Sequence, residues 1–367
     1  MDAGAAHHMV HVARLLADSG DYAVTAYTCH AARGVFQTFG AESLPFDTVP
    51  RAPRAPTAAD LDALNAAADR IIADLRPDLV IGGLSNTGNG PDEAFGAAAR
   101  RAGLTTVTLL DDRGPLQSLD GGNARHLLAT SRAIETWAGQ VPDATVHFVG
   151  SLKHHALSLL PADEIRRRVR DKMGLGDDTK LVTFIAQTDA MEGHNERFVD
   201  LVEILDRDRD RLPPFRLVVR VHPGAPRAGE WCFAEAERRG LDAACDRDGD
   251  INQLLAASDA LFSCSSTSMT DYVWLSLGGG TLRAVPIYLL GGEAIREWLV
   301  KLQGTWEPDL VTRGLALMAT DNDELEKYVQ KSLCGTLRAP NAKKEILREI
   351  DDPFETFAET ISTLIPG

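Results

Sequence analysis

Two short polar motifs, each set where an apolar run ends, hold the residues of this chain best suited to chemistry. The run over 215–221, Phe-Arg-Leu-Val-Val-Arg-Val, reads as a buried strand, and His222-Pro223-Gly224 stands at its carboxyl end. A second apolar run, 260–263, stops at Ser265-Ser266-Thr267-Ser268; the spacing of 269–277 is helical, so this hydroxyl cluster falls on a strand-to-helix turn. In an open parallel sheet, ligands collect at the carboxyl ends of strands, and a helix amino terminus offers unpaired N–H groups and the positive end of its dipole to an anion. Ser and Thr hydroxyls at such a turn suit phosphate oxygens, and imidazole is the side chain whose charge changes most readily near neutral pH. Each motif also has a plain structural use. Proline ends strands because it cannot donate to a ladder, and a Ser/Thr cluster ahead of a helix serves as its N-cap. Their occurrence together, one per strand end of one expected sheet, favours the binding use.

A third position with chemical capacity is Asp111-Asp112-Arg113, at the end of the strand expected over 105–110. Asp111 is the leading candidate to accept a proton there; Asp112 points to the opposite side if the extended geometry continues. Arg113 could instead hold a carboxylate in an ion pair. His7 and His8, just after Gly4 at the start of the first helix, form a second candidate pair for base or phosphate contact, with structural packing as the alternative. The polar, glycine-rich stretch 85–90 reads equally as a plain βα turn.

These residues need a scaffold, and the apolar pattern supplies one. A helix is expected over 5–19, with Met9, Val12, Leu15 and Leu16 on one face. It opens on a glycine-containing turn at Gly4 with no strand ahead of it, so a doubly wound first domain would lack its leading strand. Strands are expected over 22–28, 44–49, 79–83, 105–110, 126–129 and 146–149, and helices over 31–39, 58–75, 92–102 and 132–137. Beyond Gly150 the pattern restarts with a helix over 163–173, a strand over 180–186 and a helix over 196–205. After the two motifs come a strand over 286–290, a helix over 293–302 and a last helix over 353–364. Strands alternating with helices at this spacing favour parallel, helix-covered sheets. The expected division is 1–150, 151–352, and a tail, 353–367, that packs back on the first domain.

Composition sets the outer limits. At 367 residues the chain exceeds the usual single domain. A net charge of −15, from 38 basic and 53 acidic residues, argues against a general nucleic-acid surface while leaving room for a local basic pocket. No apolar run is long enough to span a bilayer. The five cysteines are odd in number and show no C-x-x-C spacing, which points to free thiols in a reducing cytoplasm.

The ordered series of motifs resembles the GT-B superfamily of nucleotide-sugar glycosyltransferases and UDP-N-acetylglucosamine 2-epimerases. Val149-Gly-Ser-Leu-Lys-His-His-Ala156 resembles the segment that opens the second domain in epimerase-like members. Val219-Arg-Val-His-Pro-Gly224, Asp250-Ile-Asn-Gln-Leu-Leu-Ala-Ala-Ser-Asp259 and the segment 265–271 resemble their nucleotide-diphosphate site. The resemblance implies two Rossmann-like doubly wound α/β domains facing a cleft. It implies a nucleotide-activated donor, CMP-, CDP- or UDP-linked, whose phosphates meet His222, Gly224, Ser265, Ser266, Thr267 and Gly4, with His222 assisting the departing phosphate. Asp111, or His8, then takes the proton of a hydroxyl acceptor in glycan or cell-surface polysaccharide assembly. Epimerases that resemble this chain carry Ser-Gly-Gly where it has Ser265-Ser266-Thr267, and it lacks their paired glutamates a few residues later. The expectation is therefore a metal-independent glycosyltransferase-like enzyme with no cofactor beyond its nucleotide-sugar substrate. A nucleotide-sugar 2-epimerase and a non-catalytic glycan-assembly protein are the alternatives, and a homodimer is left open.

Overall fold

The computed structural model describes residues 3–46, 57–83, 90–111, 125–139, 141, 143–187, 195–222, 225–247, 249–278, 283–303, 305–340 and 349–365. The chain gathers into two units, Met1–His155 with Arg348–Gly367, and Ala156–Leu347.

The first unit begins with α1 (Ala3–Ser19), β1 (Tyr27–Thr28), α2 (His30–Thr38), β2 (Leu44–Pro45) and α3 (Ala58–Leu75). It continues through β3 (Leu79–Gly82), α4 (Pro91–Arg101), β4 (Thr105–Leu110), β5 (His126–Ala129), α5 (Arg132–Ala138), β6 (Thr145–Phe148) and the start of α6 (Leu152–Ser158), whose residues from Ala156 on are counted with the second unit. Local chemistry sets several boundaries. Thr57 and Asp60 form a reciprocal capping box at the start of α3, and Arg76 turns left-handed to end it. Pro91 opens α4, where its missing N–H costs nothing, and Glu93 reaches back to the Gly90 amide at 2.8 Å.

Strands β3 to β6 pair in parallel in chain order. Alternation along β4 and β5 sorts their side chains onto two faces. Val107, Leu109 and Leu128 join Met9, Val10, Val12 and Leu16 of α1, while Leu110, Leu127 and Ala129 join Ile134 and Ala138 of α5. The last helix, Pro353–Leu364, belongs to the first of these cores. Phe357 and Ile361 are fully buried there, worth together about 3–6 kcal/mol of transfer free energy. Asp352 caps this helix by accepting from the amides of Phe354 and Glu355. Gly150, at φ +72°, lets it come close: a Cβ there would stand 3.2 Å from Pro353 Cγ.

Two expectations change in this unit. The strand over 22–28 reduces to Tyr27–Thr28, because β2 provides ladder partners only there, with Leu44 N donating to Ala26 O and Phe46 N to Thr28 O at 2.8 Å each. Tyr22 and Ala26 still pack on the α1 core, which is the origin of their apolar signal. Positions 47–49 of the expected second strand lie outside the described residues. Gly4 is helical, inside the first turn of α1, and does not form a turn ahead of it. The alanines at 3, 5 and 6 have the highest helix propensity of any residue and offset the roughly 1 kcal/mol cost of one glycine.

The second unit contains α7 (Ala162–Lys172), β7 (Lys180–Ile185), α8 (Arg197–Arg207), β8 (Phe215–Arg220), α9 (Pro226–Arg238), β9 (Ala243–Asp246) and α10 (Ile251–Ala257). It goes on with β10 (Ala260–Ser263), α11 (Ser268–Gly278), β11 (Pro286–Leu289), α12 (Glu293–Gln303), α13 (Asp309–Thr312), β12 (Leu317–Ala319) and α14 (Asn322–Leu333). Its strands form one six-stranded parallel sheet in the order β12-β11-β10-β7-β8-β9. Read from β9, this is the doubly wound order 3-2-1-4-5-6, in which the winding direction reverses between β7 and β10. The buried strands β7, β10 and β11 are apolar almost throughout, as a sheet covered on both faces demands.

Candidate functional site

The reversal between β7 and β10 defines where a ligand crevice belongs in the second unit, outside the carboxyl ends of those two strands. A buried hydrogen-bond chain is built across that point. Gln187, 6 % exposed just beyond β7, donates from Nε2 to Ser263 Oγ at 3.2 Å. Ser263, fully buried at the end of β10, donates to Ile185 O at 2.9 Å and accepts from Ser266 N at 3.3 Å. Asn195 completes the chain, with its side-chain amide accepting from Gln187 N at 3.0 Å and donating to Gln187 O at 3.2 Å. The conformation of the serine turn is thus tied to β7 through side chains, which limits how far its groups can drift.

The turn itself carries Ser265 and Ser266 half-buried and Thr267 exposed, directly before α11. Ser266 Oγ accepts from Ser268 N at 3.2 Å, and Thr267 O receives the amides of Thr270 and Asp271 as the helix starts. The capping use read from the sequence is therefore real, and Ser265 and Thr267 stand beside the same helix amino terminus. Cys264, which opens the turn, is fully buried; burial pushes its thiol up to about 12, against the pull of the nearby Arg197 cation.

His222 lies half-buried one residue past Val221 at the carboxyl end of β8, and its carbonyl accepts from Ala225 N at 3.0 Å. Pro223 and Gly224 lie outside the described residues. Beside it, Arg220 Nη1 donates to Asp246 Oδ2 at 2.7 Å and to Gly249 O at 2.6 Å, bracing the ends of β8 and β9. One strand, β7, separates His222 from the serine turn, so their strand ends stand about 10 Å apart. Both motifs share one edge of one sheet.

In the first unit, Asp111 follows β4 directly and is half-buried; the carbonyl before it, Leu110 O, accepts from both Thr130 N at 3.3 Å and Thr130 Oγ1 at 2.9 Å. Asp112 and Arg113 lie outside the described residues, as does the stretch 84–89. His8 is 5 % exposed, with its ring edge-on to His154 at 5.6 Å, while His7 packs edge-on to Phe39 at 5.9 Å. His11, half-buried beside them, is held down at about 4, by burial first and then by the charges of Arg14, His7, Lys153 and His154. His126 and His147 share a hydrogen bond of 3.1 Å between adjacent strands.

Sequence reading did not single out Gln187, Asn195 or Arg197. Gln187 and Arg197 reach partners far along the chain, Ser263 and Asn322, and no local pattern marks them. Among the described residues, no three His, Cys, Asp or Glu side chains converge as a metal site requires, all five cysteines are free, and no helix is long and apolar enough to cross a membrane.

No protein-family model matches the sequence, and no curated protein matches it by sequence comparison. Solved structures do match over nearly the whole chain. UDP-GlcNAc 2-epimerase from Neisseria meningitidis, bound to UDP-GlcNAc, superposes with a TM-score of 0.69 at 14% identity, covering 98% of this chain and 96% of its own. UDP-GlcNAc 2-epimerase from Methanocaldococcus jannaschii gives 0.65 at 12% identity, covering 97% of each. A glycosyltransferase from Rickettsia africae gives 0.58 at 10% identity, covering 100% of this chain and 96% of its own. At these identities the likeness is one of fold, and the fold is that of the GT-B proteins.

Proposed function

We propose that this chain is an enzyme acting on a nucleotide-activated sugar, with the nucleotide held at the carboxyl edge of the second unit's sheet. The observation that carries the reading is the placement of His222 and of Ser265, Ser266 and Thr267 at strand ends flanking the reversal point of a doubly wound sheet. Labilising the bond between a sugar and its phosphate asks for donors aimed at the charge that develops on the phosphate oxygens. The hydroxyls and amides of the turn supply such donors, and the His222 imidazole is a side chain able to donate to a departing phosphate. Asp111 is the base in this reading, with His8 less suited because its ring is packed inside the first unit.

Fold likeness is greater to the 2-epimerases than to the glycosyltransferase, which supports epimerisation of a UDP-linked amino sugar as the leading reaction. Transfer to a hydroxyl acceptor is the second reading, favoured by Ser265-Ser266-Thr267 standing where epimerases that resemble this chain have Ser-Gly-Gly. Proton NMR of the purified protein with UDP-GlcNAc and no acceptor separates them. A C2 epimer, bound to UDP or released from it, is the expected product; turnover only after a hydroxyl acceptor is added selects the transferase. If nothing turns over, and none of CMP, CDP, UDP, GDP or TDP raises the melting temperature, the reading is wrong, because a ligand of the folded state alone must raise it.

A further inference from the structure

Arg197 opens α8, directly after the segment that leaves β7, and its guanidinium is held at one corner only. Nη1 donates to Asp200 Oδ2 at 2.5 Å and to Asn322 Oδ1 at 2.7 Å. Nε and Nη2 are buried and meet no acceptor among the described residues, in a side chain only 17 % exposed. The N–H groups left over are the ones that matter for recognition, because Nε–H and one Nη2–H run parallel and match two oxygens of a phosphate or carboxylate. Buried donors of a charged group are costly to leave without partners, so their persistence marks a place where an acceptor binds.

Gly291, two residues beyond β11, fixes the orientation of this edge. A Cβ on Gly291 would stand 2.7 Å from Arg197 Nε and 2.9 Å from both Cδ and Cζ. Near-equal distances to three bonded atoms put that point over the guanidinium plane, so Gly291 lies against a face of the group and leaves its in-plane edge alone. Asn322 opens α14 after β12, and the Arg197 charge reaches the Cys264 thiol at the start of the serine turn. The guanidinium therefore sits among the carboxyl ends of β7, β10, β11 and β12, the same edge that carries the turn.

We propose that Arg197 is a second anion-receiving group beside Ser265, Ser266 and Thr267, and that it makes the site select a nucleoside diphosphate over a nucleoside monophosphate. This rests on the nucleotide-sugar reading and deepens it, since the sequence left CMP-linked and CDP- or UDP-linked donors open. The hydroxyls and amides of the turn serve one phosphate. A second phosphate brings further negative charge into a desolvated crevice, where it is costly unless a cation meets it. The free fork of Arg197 meets it with two charge-assisted hydrogen bonds, and a monophosphate has nothing to place there.

Isothermal titration of the wild-type chain, Arg197→Gln and Gly291→Ala with UDP, UMP, CDP and CMP tests this. The wild type is expected to bind each diphosphate about ten- to a hundred-fold tighter than its monophosphate. Arg197→Gln should bring diphosphate affinity down to the monophosphate level while leaving monophosphate affinity within about twofold of wild type. Gly291→Ala should act in the same direction with the charge retained, because the new methyl displaces the guanidinium; this position is exposed and its φ is outside the left-handed region, so the fold tolerates alanine. Equal wild-type affinities for UDP and UMP, or equal losses for both ligands in the variants, would overturn the subsite alone. Absence of binding to all four nucleotides by the wild type would overturn the nucleotide-sugar reading and this inference with it.

Discussion

Gly229→Ala in α9 sets two known effects against each other, and the structure decides the sign. Helix propensity favours the substitution by about 1 kcal/mol, since glycine is the poorest helix former after proline. Gly229 is buried, however, and a Cβ there would lie 2.6 Å from Val221 Cγ2 and 2.9 Å from Val221 Cα. Ordinary contact begins at 3.4 Å, so the side chain or α9 must give by 0.8 Å at the first atom and 0.5 Å at the second. The second atom is backbone and cannot be relieved by a rotamer change. Overpacking of this kind costs about 1–3 kcal/mol, which exceeds the propensity gain over most of its range. A net loss of up to about 2 kcal/mol is expected. Val221 immediately precedes His222, so the same displacement should reach the candidate site, where about 1 Å of misplacement can cost a hundred-fold. The comparison variant is Gly34→Ala in α2, where nothing lies within 4 Å of the added methyl and propensity acts alone. Calorimetry should find Gly34→Ala more stable than wild type and Gly229→Ala less stable, with weakened UDP binding in the latter. A Gly229→Ala variant stabilised to the same extent as Gly34→Ala would show that the approach of α9 to Val221 is soft and the reasoning mistaken.

Acid should destabilise the first unit. Burial, and then the neighbouring Arg14, His7, Lys153 and His154, hold His11 down at about 4, and burial likewise lowers His126 and His147. The folded state therefore favours the neutral rings, so their contribution is intact above the unfolded value near 6.5 and is lost as the pH falls from there toward 4, up to about 3 kcal/mol for His11. Melting temperatures between pH 7 and pH 4 should fall, and less so for His11→Gln; parallel curves for the two proteins would remove His11 from the account. In the second unit, Asp259 accepts from Arg166, from Arg170 Nη1 at 2.7 Å and from Leu181 N at 2.8 Å. Asp259→Ala leaves two largely buried guanidinium groups uncompensated and should cost about 3–5 kcal/mol by chemical denaturation, whereas a change under 1 kcal/mol would mean the arginines find water. For the chemistry, Asp111→Asn should leave UDP affinity intact while turnover falls by about 10²–10⁴-fold, and His222→Ala should weaken UDP binding by about ten- to a hundred-fold. Full turnover in Asp111→Asn would move the base to another residue.

Much of this protein is written locally. The apolar runs of β7, β8, β10 and β11 mark buried strands because parallel strands covered on both faces tolerate few polar side chains. Thr57 with Asp60 and Asp352 ahead of Pro353 announce helix starts through hydrogen bonds that span only a few residues. The polar motifs at strand ends were visible for the same reason, since they interrupt a periodic pattern. What escaped has weak or distant signals. Helix α9 buries small residues, Ala228, Gly229, Cys232 and Ala236, whose apolar stripe is faint, and β9 and β12 are short strands at the sheet's two edges. The shortening of β1 depends on how far its partner runs alongside it, which no single segment records. The order of the second sheet, the Gln187–Ser263 bond between residues 76 apart, and the meeting of Arg197 with Gly291 and Asn322 exist only once crossovers have folded separate strand ends onto one edge. Local propensity and periodicity act over a few residues, whereas the contacts that shape the candidate site join segments whose proximity is a property of the packed sheet.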